Sequence, residues 1–230
     1  MKILAIDTST THSCCSVMEN DYIVGEFSIN QSMSHNEILL DMVQEMLSKL
    51  NIDISEIDLY VAVTGPGSFT GIRIGVTTAK ALAMALNKPI VSVNTLEAMS
   101  FGVFSENKKI PIIDARGGRV YYGVYKGYDN CEIEKPDLMD IDELLMKFDN
   151  SKEEIIFTGD AVKLYEKRIL KNTNFKVTSP NLNSCISRNA CVIGKEKFKK
   201  NILADCYTLS PEYVRQSQAQ RDLEKREEQK

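Results

Sequence analysis

The chain has 230 residues, 43% of them hydrophobic and 26% charged, which supplies a full core and excludes a disordered tail or a miniprotein held by staples. With 28 basic and 32 acidic residues, a formal charge of -4 and a pI near 5.4, it lacks the positive field of a protein that grips nucleic acid alone, so RNA contact is expected only through a partner. No run approaches the roughly 18 apolar residues of a membrane span and no leader pattern stands before the first strand, so no membrane contact and a cytoplasmic location are the expectation.

In chain order, Lys2 to Asp7, Ser13 to Met18 and Tyr22 to Phe27 read as three opening strands, the first ending in an acid. Ser34 and Glu37 spell a capping box, after which Ile38, Leu39, Met42, Val43, Met46, Leu47 and Leu50 recur at helical spacing. Leu59 to Thr64 is a strand, and a helix from about Gly71 carries Ile72, Val76, Ala79, Leu82, Ala83 and Leu86 until Asn87-Lys88-Pro89 stops it. Ile90 to Val93 is a strand and a short helix follows from Thr95.

The second half repeats the order. Strands are expected at Ile110 to Asp114, Arg119 to Tyr125 and Cys131 to Lys135, then a helix from Asp140 to Phe148 and a strand from Glu154 to Thr158. A helix from Asp160 to Lys171, a strand from Phe175 to Thr178 and a helix from Ser187 to Lys199 complete it. Both halves thus run βββαβαβα, which points to a duplicated α/β fold with an N-terminal lobe over 1–105, a C-terminal lobe over 106–215 and a polar tail over 216–230. Asp7 and Asp114 end the first strand of each half, so duplication places the two carboxylates on facing hairpins across a cleft that suits phosphate and metal.

The sharpest local signal is Gly65-Pro66-Gly67-Ser68-Phe69-Thr70-Gly71-Ile72-Arg73, a glycine-dense turn from strand to helix. It lacks the G-K-S/T of a Walker loop and has Thr70 where a dinucleotide fingerprint needs its third glycine. Two readings stand: backbone donors holding an anion or a partner at the helix start, or a tight turn with close packing. Asp7, Ser9 and Thr10 offer a phosphate hairpin or a self-bonded turn, and Asp114 with Arg116 offers its match or a solvated hairpin tip. Gly159-Asp160 is a poor adenosine-binding motif. Only His12 and His35 are present, and the six cysteines form no C-x-x-C pair, so no metal site is expected. The Met33, Met42 and Met46 positions broaden the first helix's apolar stripe, which is either core or a docking face.

At Ile3-Leu4-Ala5-Ile6-Asp7-Thr8-Ser9, the nine-residue glycine motif, Asp114-Ala115-Arg116 and Pro211-Glu212-Tyr213-Val214-Arg215, the sequence resembles the TsaB (YeaZ) family, bacterial proteins of the actin/Hsp70-like ATPase (ASKHA) fold. The resemblance spans most of residues 1 to about 215. It implies a part in making N6-threonylcarbamoyladenosine next to the anticodon of tRNAs reading ANN codons. The partners it implies are TsaD, the catalytic paralogue, and TsaE, an ATPase, with tRNA reached through the complex and a homodimer formed when TsaD is missing. In TsaD the strand after the glycine helix leads into a metal-holding histidine pair spaced i and i+4. Thr95 and Met99 occupy those places here, and a hydroxyl with a thioether cannot replace two imidazoles, so a noncatalytic scaffold is expected. From the resemblance, Ile38, Met42 and Met46, with Arg73 and Lys80, are expected at the partner interface. Asp7, Ser9, Thr10, Asp114 and Arg116 are expected at a weak or vestigial phosphate site, with no cofactor of the chain's own and with ATP or ADP and magnesium at the joint surface. The rival expectation is an independent ATP-dependent kinase or a metalloprotease of the same fold.

Overall fold

The computed structural model describes residues 1–30, 35–183 and 186–214, apart from the side chains of 35–37 and 183. The capping box at Ser34 and Glu37, Met33, Cys185, Arg215 and the polar tail lie outside what is described.

The first half contains β1 (Lys2–Asp7), β2 (His12–Glu19), β3 (Tyr22–Asn30), α1 (His35–Leu50), β4 (Leu59–Gly65), α2 (Phe69–Ala85), β5 (Ile90–Asn94) and α3 (Thr95–Phe101). The second contains β6 (Lys108–Asp114), β7 (Arg119–Lys126), β8 (Cys131–Asp140), α4 (Ile141–Phe148), β9 (Ile155–Thr158), α5 (Val162–Ile169), β10 (Phe175–Val177) and α6 (Ser187–Lys199). The βββαβαβα order therefore occurs twice, and the sheets match: β3-β2-β1-β4-β5 in one, β8-β7-β6-β9-β10 in the other. In each sheet the hairpin strands pair antiparallel and the strands reached through helices pair parallel.

Strand periodicity sorts the core of the first sheet. Ile3 and Ala5 face a cluster with Val61, Val63, Leu96 and Cys191, while Leu4 and Ile6 face another with Met42, Met46, Ile72 and Val76. Helices cover both faces, which is why β1 and β4 read as almost unbroken apolar runs. A third cluster, with Ile112, Tyr122, Leu144 and Phe157, fills the second sheet. Although α6 closes the second half in sequence, it packs on the first sheet: Ala190, Cys191 and Ile193 join the Ile3 cluster, and a Cβ on Gly194 would meet Val61 Cγ2 at 2.4 Å.

Several element boundaries depart from the sequence reading, β3 running on to Asn30 and β6 starting at Lys108 among them, and three departures have a local cause. Helix α2 begins at Phe69, because the Ser68 hydroxyl caps it by accepting from Gly71 N. Strand β8 runs ten residues, through Pro136, because it is an edge strand and the missing proline donor faces no neighbour. Helix α5 spans only eight residues, since Gly159 turns with φ +105° and Val162 N bonds back to Gly159 O.

Candidate functional site

Asp7, at the end of β1, is 1% exposed. Its carboxylate accepts from Ser9 N at 2.8 Å and from Cys14 Sγ at 3.6 Å, so it organises the β1–β2 turn from beneath. Onto that turn closes the glycine motif. Ser68 N donates to Ser9 O at 2.7 Å and Thr8 Oγ1 to Gly71 O at 2.6 Å. A Cβ on Gly67 would stand 2.1 Å from Ser9 O, and one on Gly71 would stand 2.1 Å from Thr8 O. The glycines are thus spent on backbone approach to the hairpin, and only the rim from Gly67 to Thr70 borders open space.

Across that space stands the matching turn of the second half. Asp114 Oδ1 accepts from Arg116 N at 2.9 Å, and Arg116, Gly117 and Gly118 all take left-handed backbone angles, with φ of +62°, +64° and +79°. Between the two turns lies a cleft of about 500 Å³ that brings together Ser9, Thr10, Asp114 and Arg116, together with the motif's rim and Asp160. Asp7 does not line it, because it is sealed under its own turn.

Asp160 is the cleft residue that sequence reasoning set aside. Its Oδ1 accepts from Asp114 N at 3.2 Å, and its pKa is pushed up to about 6, chiefly by burial, with the Asp114 and Asp7 charges adding to the rise. The signal lay in Gly159: a Cβ there would meet Ile112 O at 2.3 Å, the same backbone approach that Gly67 makes on Ser9.

The family resemblance implies a weak or vestigial phosphate site at these residues, with magnesium and ATP or ADP at a joint surface. The fully buried Ser9 Oγ has no hydrogen-bond partner among the described residues and, with Thr10 and Arg116, it can face phosphate oxygens. Asp114 and Asp160 would repel that phosphate unless a divalent ion stood between, and one or two carboxylates plus phosphate oxygens and water are what magnesium uses. The residues therefore fit a magnesium phosphate group and fit a bare anion poorly. Among the described residues no group of three His, Cys, Asp or Glu side chains could hold a metal ion unaided.

The helical face corrects the expected interface. Met42 and Met46 are 3% and 1% exposed and lie in the core under α1 with Cys15, Val17 and Tyr60, so neither is available to a partner in this conformation. Ile38 is half-buried. Arg73 and Lys80, on α2, are engaged by the chain's own C-terminal segment: Arg73 Nε donates to Tyr213 Oη at 2.7 Å and Lys80 Nζ to Leu209 O at 2.7 Å. The Arg73 guanidinium also lies 3.9 Å over the Phe69 ring, which stacks on Tyr213. The exposed apolar positions are instead Leu40 and Met84, with half-buried Ile74 and Leu82, beside a groove of about 480 Å³ lined by Leu40, Leu47, Ile52 and Leu82. Leu40 falls outside the helical stripe, and an apolar residue out of phase was the signal available. Thr95 and Met99 are 0% and 2% exposed, and Thr95 Oγ1 finds no partner among the described residues. No helix among the described residues is long and apolar enough to cross a membrane.

Comparison with known proteins bears on the family and the fold. The model of a family described as TsaD, tRNA N6-adenosine threonylcarbamoyltransferase, matches residues 23–222. The tRNA threonylcarbamoyladenosine biosynthesis protein TsaB of Bacillus subtilis (strain 168) is 34% identical over 230 residues, 96% of each chain. A crystal structure from Pseudomonas aeruginosa, described as similar to peptidase YEAZ, superposes with a TM-score of 0.80 at 21% identity, covering 93% of this chain and 99% of that one. The activator of the 2-hydroxyisocaproyl-CoA dehydratase from Clostridium difficile, solved with ADPNP, follows at a TM-score of 0.55 and 9% identity over 88% of this chain and 97% of its own. At such identities the structures speak for the fold alone, which is shared with the YeaZ structure and with the dehydratase activator.

Proposed function

The chain belongs to the TsaB family of tRNA threonylcarbamoyladenosine biosynthesis proteins, and we propose that within that process it is the noncatalytic subunit that pairs with the transferase TsaD. The observation that carries this reading is the burial of Thr95 and Met99. They occupy the places where the transferase is expected to hold its metal, yet one is a hydroxyl and the other a thioether, and both are closed into the core. Such groups make poor ligands for a hard or borderline divalent ion.

The partner surface is the outer face of α1 and α2 around Leu40, Leu82 and Met84. Leu40 is 56% exposed and Met84 46%, and covering them removes apolar area from water at about 25 cal/mol per Å² before association costs are met. The same face pairs two copies of this chain when TsaD is missing. In the assembled pair, TsaE and tRNA are recruited to the complex, and ATP or ADP with magnesium sits at the joint surface. Binding of nucleotide by this chain alone is weak. The product is the modified adenosine next to the anticodon of tRNAs reading ANN codons.

Leu40→Arg tests the surface. Co-purification with TsaD should fall at least tenfold while the variant's circular dichroism and melting temperature stay those of the native protein. Undiminished co-purification would remove the assignment. The same complex, assayed for tRNA modification with each subunit alone and with both, separates scaffold from enzyme: turnover by this chain alone would favour the independent ATP-dependent enzyme or metalloprotease.

A further inference from the structure

Away from the hairpin cleft, α3, the β7–β8 hairpin, α6 and the returning C-terminal segment wall a second cleft of about 510 Å³. Tyr125, on β7, lines it. This side chain is 1% exposed and its hydroxyl has no hydrogen-bond partner among the described residues, a costly condition for a buried polar group. Three carboxylates of the same cleft, Glu132, Glu97 and Glu212, act electrostatically on that hydroxyl, which burial keeps protonated.

Their charges are answered unequally. Glu97 is paired with Lys197 Nζ at 2.8 Å. Among the described residues Glu212 accepts only from neutral donors, Thr64 Oγ1 at 3.1 Å and Asn94 Nδ2 at 3.0 Å. Glu132 makes no ion pair among the described residues. Two uncompensated carboxylates therefore share the cleft with an unsatisfied phenol oxygen. Among the described residues no three acids converge to hold a metal ion, which leaves a cation that brings its own directed donors.

We propose that this cleft binds an organic ammonium group, whose three N–H donors are divided among Tyr125 Oη, Glu132 and Glu212. Lys135 stands at the mouth as the chain's own exposed cation, where it competes with the incoming ammonium. A primary amine can come from a free polyamine or from a lysine side chain of a partner protein, and the chemistry at the cleft is the same.

The test is calorimetric titration and thermal shift of the full chain at constant ionic strength, with putrescine, Nα-acetyl-lysine amide and magnesium chloride as probes. At least one amine should bind while magnesium does not. Glu132→Gln should weaken amine binding about tenfold, and Lys135→Ala should tighten it. Tyr125→Phe keeps the ring and removes only the orphan hydroxyl, so the variant should melt at or above the native temperature and lose the amine-induced shift. Binding confined to putrescine identifies a free polyamine, and binding of the lysine amide identifies a protein side chain. No amine binding to the native chain, an equal response to magnesium, or an undiminished shift in Tyr125→Phe would each overturn the proposal.

Discussion

The two turns that face each other across the hairpin cleft end equivalent strands of equivalent sheets, yet they are built to opposite ends. The turn after β1 is closed from below by the Asp7 carboxylate and from above by Gly67 and Gly71, with backbone atoms at the limit of approach. Beyond β6, the other turn has three successive left-handed residues, and a Cβ placed on Gly117 would meet nothing within 4 Å. Duplication kept the sheet order while packing decided which turn stays open. A close-packed turn cannot reshape itself around a ligand, so any adaptation in this cleft falls to Asp114, Arg116 and Asp160.

The sharpest way to break that contrast is to add one methyl to each turn. Gly71→Ala drives a Cβ against the Thr8 carbonyl, a backbone atom that cannot rotate away, and should cost about 3 kcal/mol, the upper end of ordinary overpacking. Gly117→Ala meets no atom and pays only for its left-handed backbone, about 1 kcal/mol. Urea denaturation midpoints, compared at equal slope, report both. Equal losses would mean that the first turn can yield after all.

Next in size is the pH response of the open side. The pKa of Asp160 in the folded protein is about 6, against 3.8 unperturbed, so between about pH 4 and 6 the folded protein retains a proton that the unfolded chain has released. The contribution of Asp160 to stability is therefore fullest below that window and declines as the pH rises through it, by about 2 kcal/mol after allowance for partial exposure. Asp160→Asn keeps an oxygen to accept from Asp114 N. It should flatten the decline and be more stable than the native chain at neutral pH. Parallel pH profiles for the two proteins would show that the second turn is not the strained one.

How far such features could be read in advance depended on their range in sequence. Both βββαβαβα units were legible because hydrophobic period and turn residues are local, though Asp140, read as the first residue of its helix, proved to be the cap of α4. Period also gave α1 its apolar stripe, but it could not say what covers that stripe. Met42 and Met46 went inward because β2 and β3 lie beneath α1, and Leu40 was left outside for the same reason. Gly67, Ser9 and Asp160 are brought together by contacts between segments dozens of residues apart, and only the glycines hinted at this. The ending Pro211-Glu212-Tyr213 was visible as a resemblance, but its bonds to Thr64, Asn94 and Arg73 are properties of the folded chain.

That ending supplies the finest test of whether the two turns are independent. Tyr213 stacks on Phe69 with ring centroids 4.8 Å apart and accepts from Arg73, which ties the C-terminal segment to the first turn of α2. Nothing comparable ties down the Asp114 turn among the described residues. Because Tyr213 is 42% exposed, Tyr213→Ala should cost only about 1 kcal/mol, the sum expected of one solvent-facing aromatic pair and a weak cation–π contact. Hydrogen exchange is the informative measurement. Protection should fall at Glu212 N, which donates to Thr64 O, and at the start of α2, while amides from Asp114 to Gly118 keep their rates. If those rates rose equally, the two turns would move as one body, and the closed turn would be holding the open one in place.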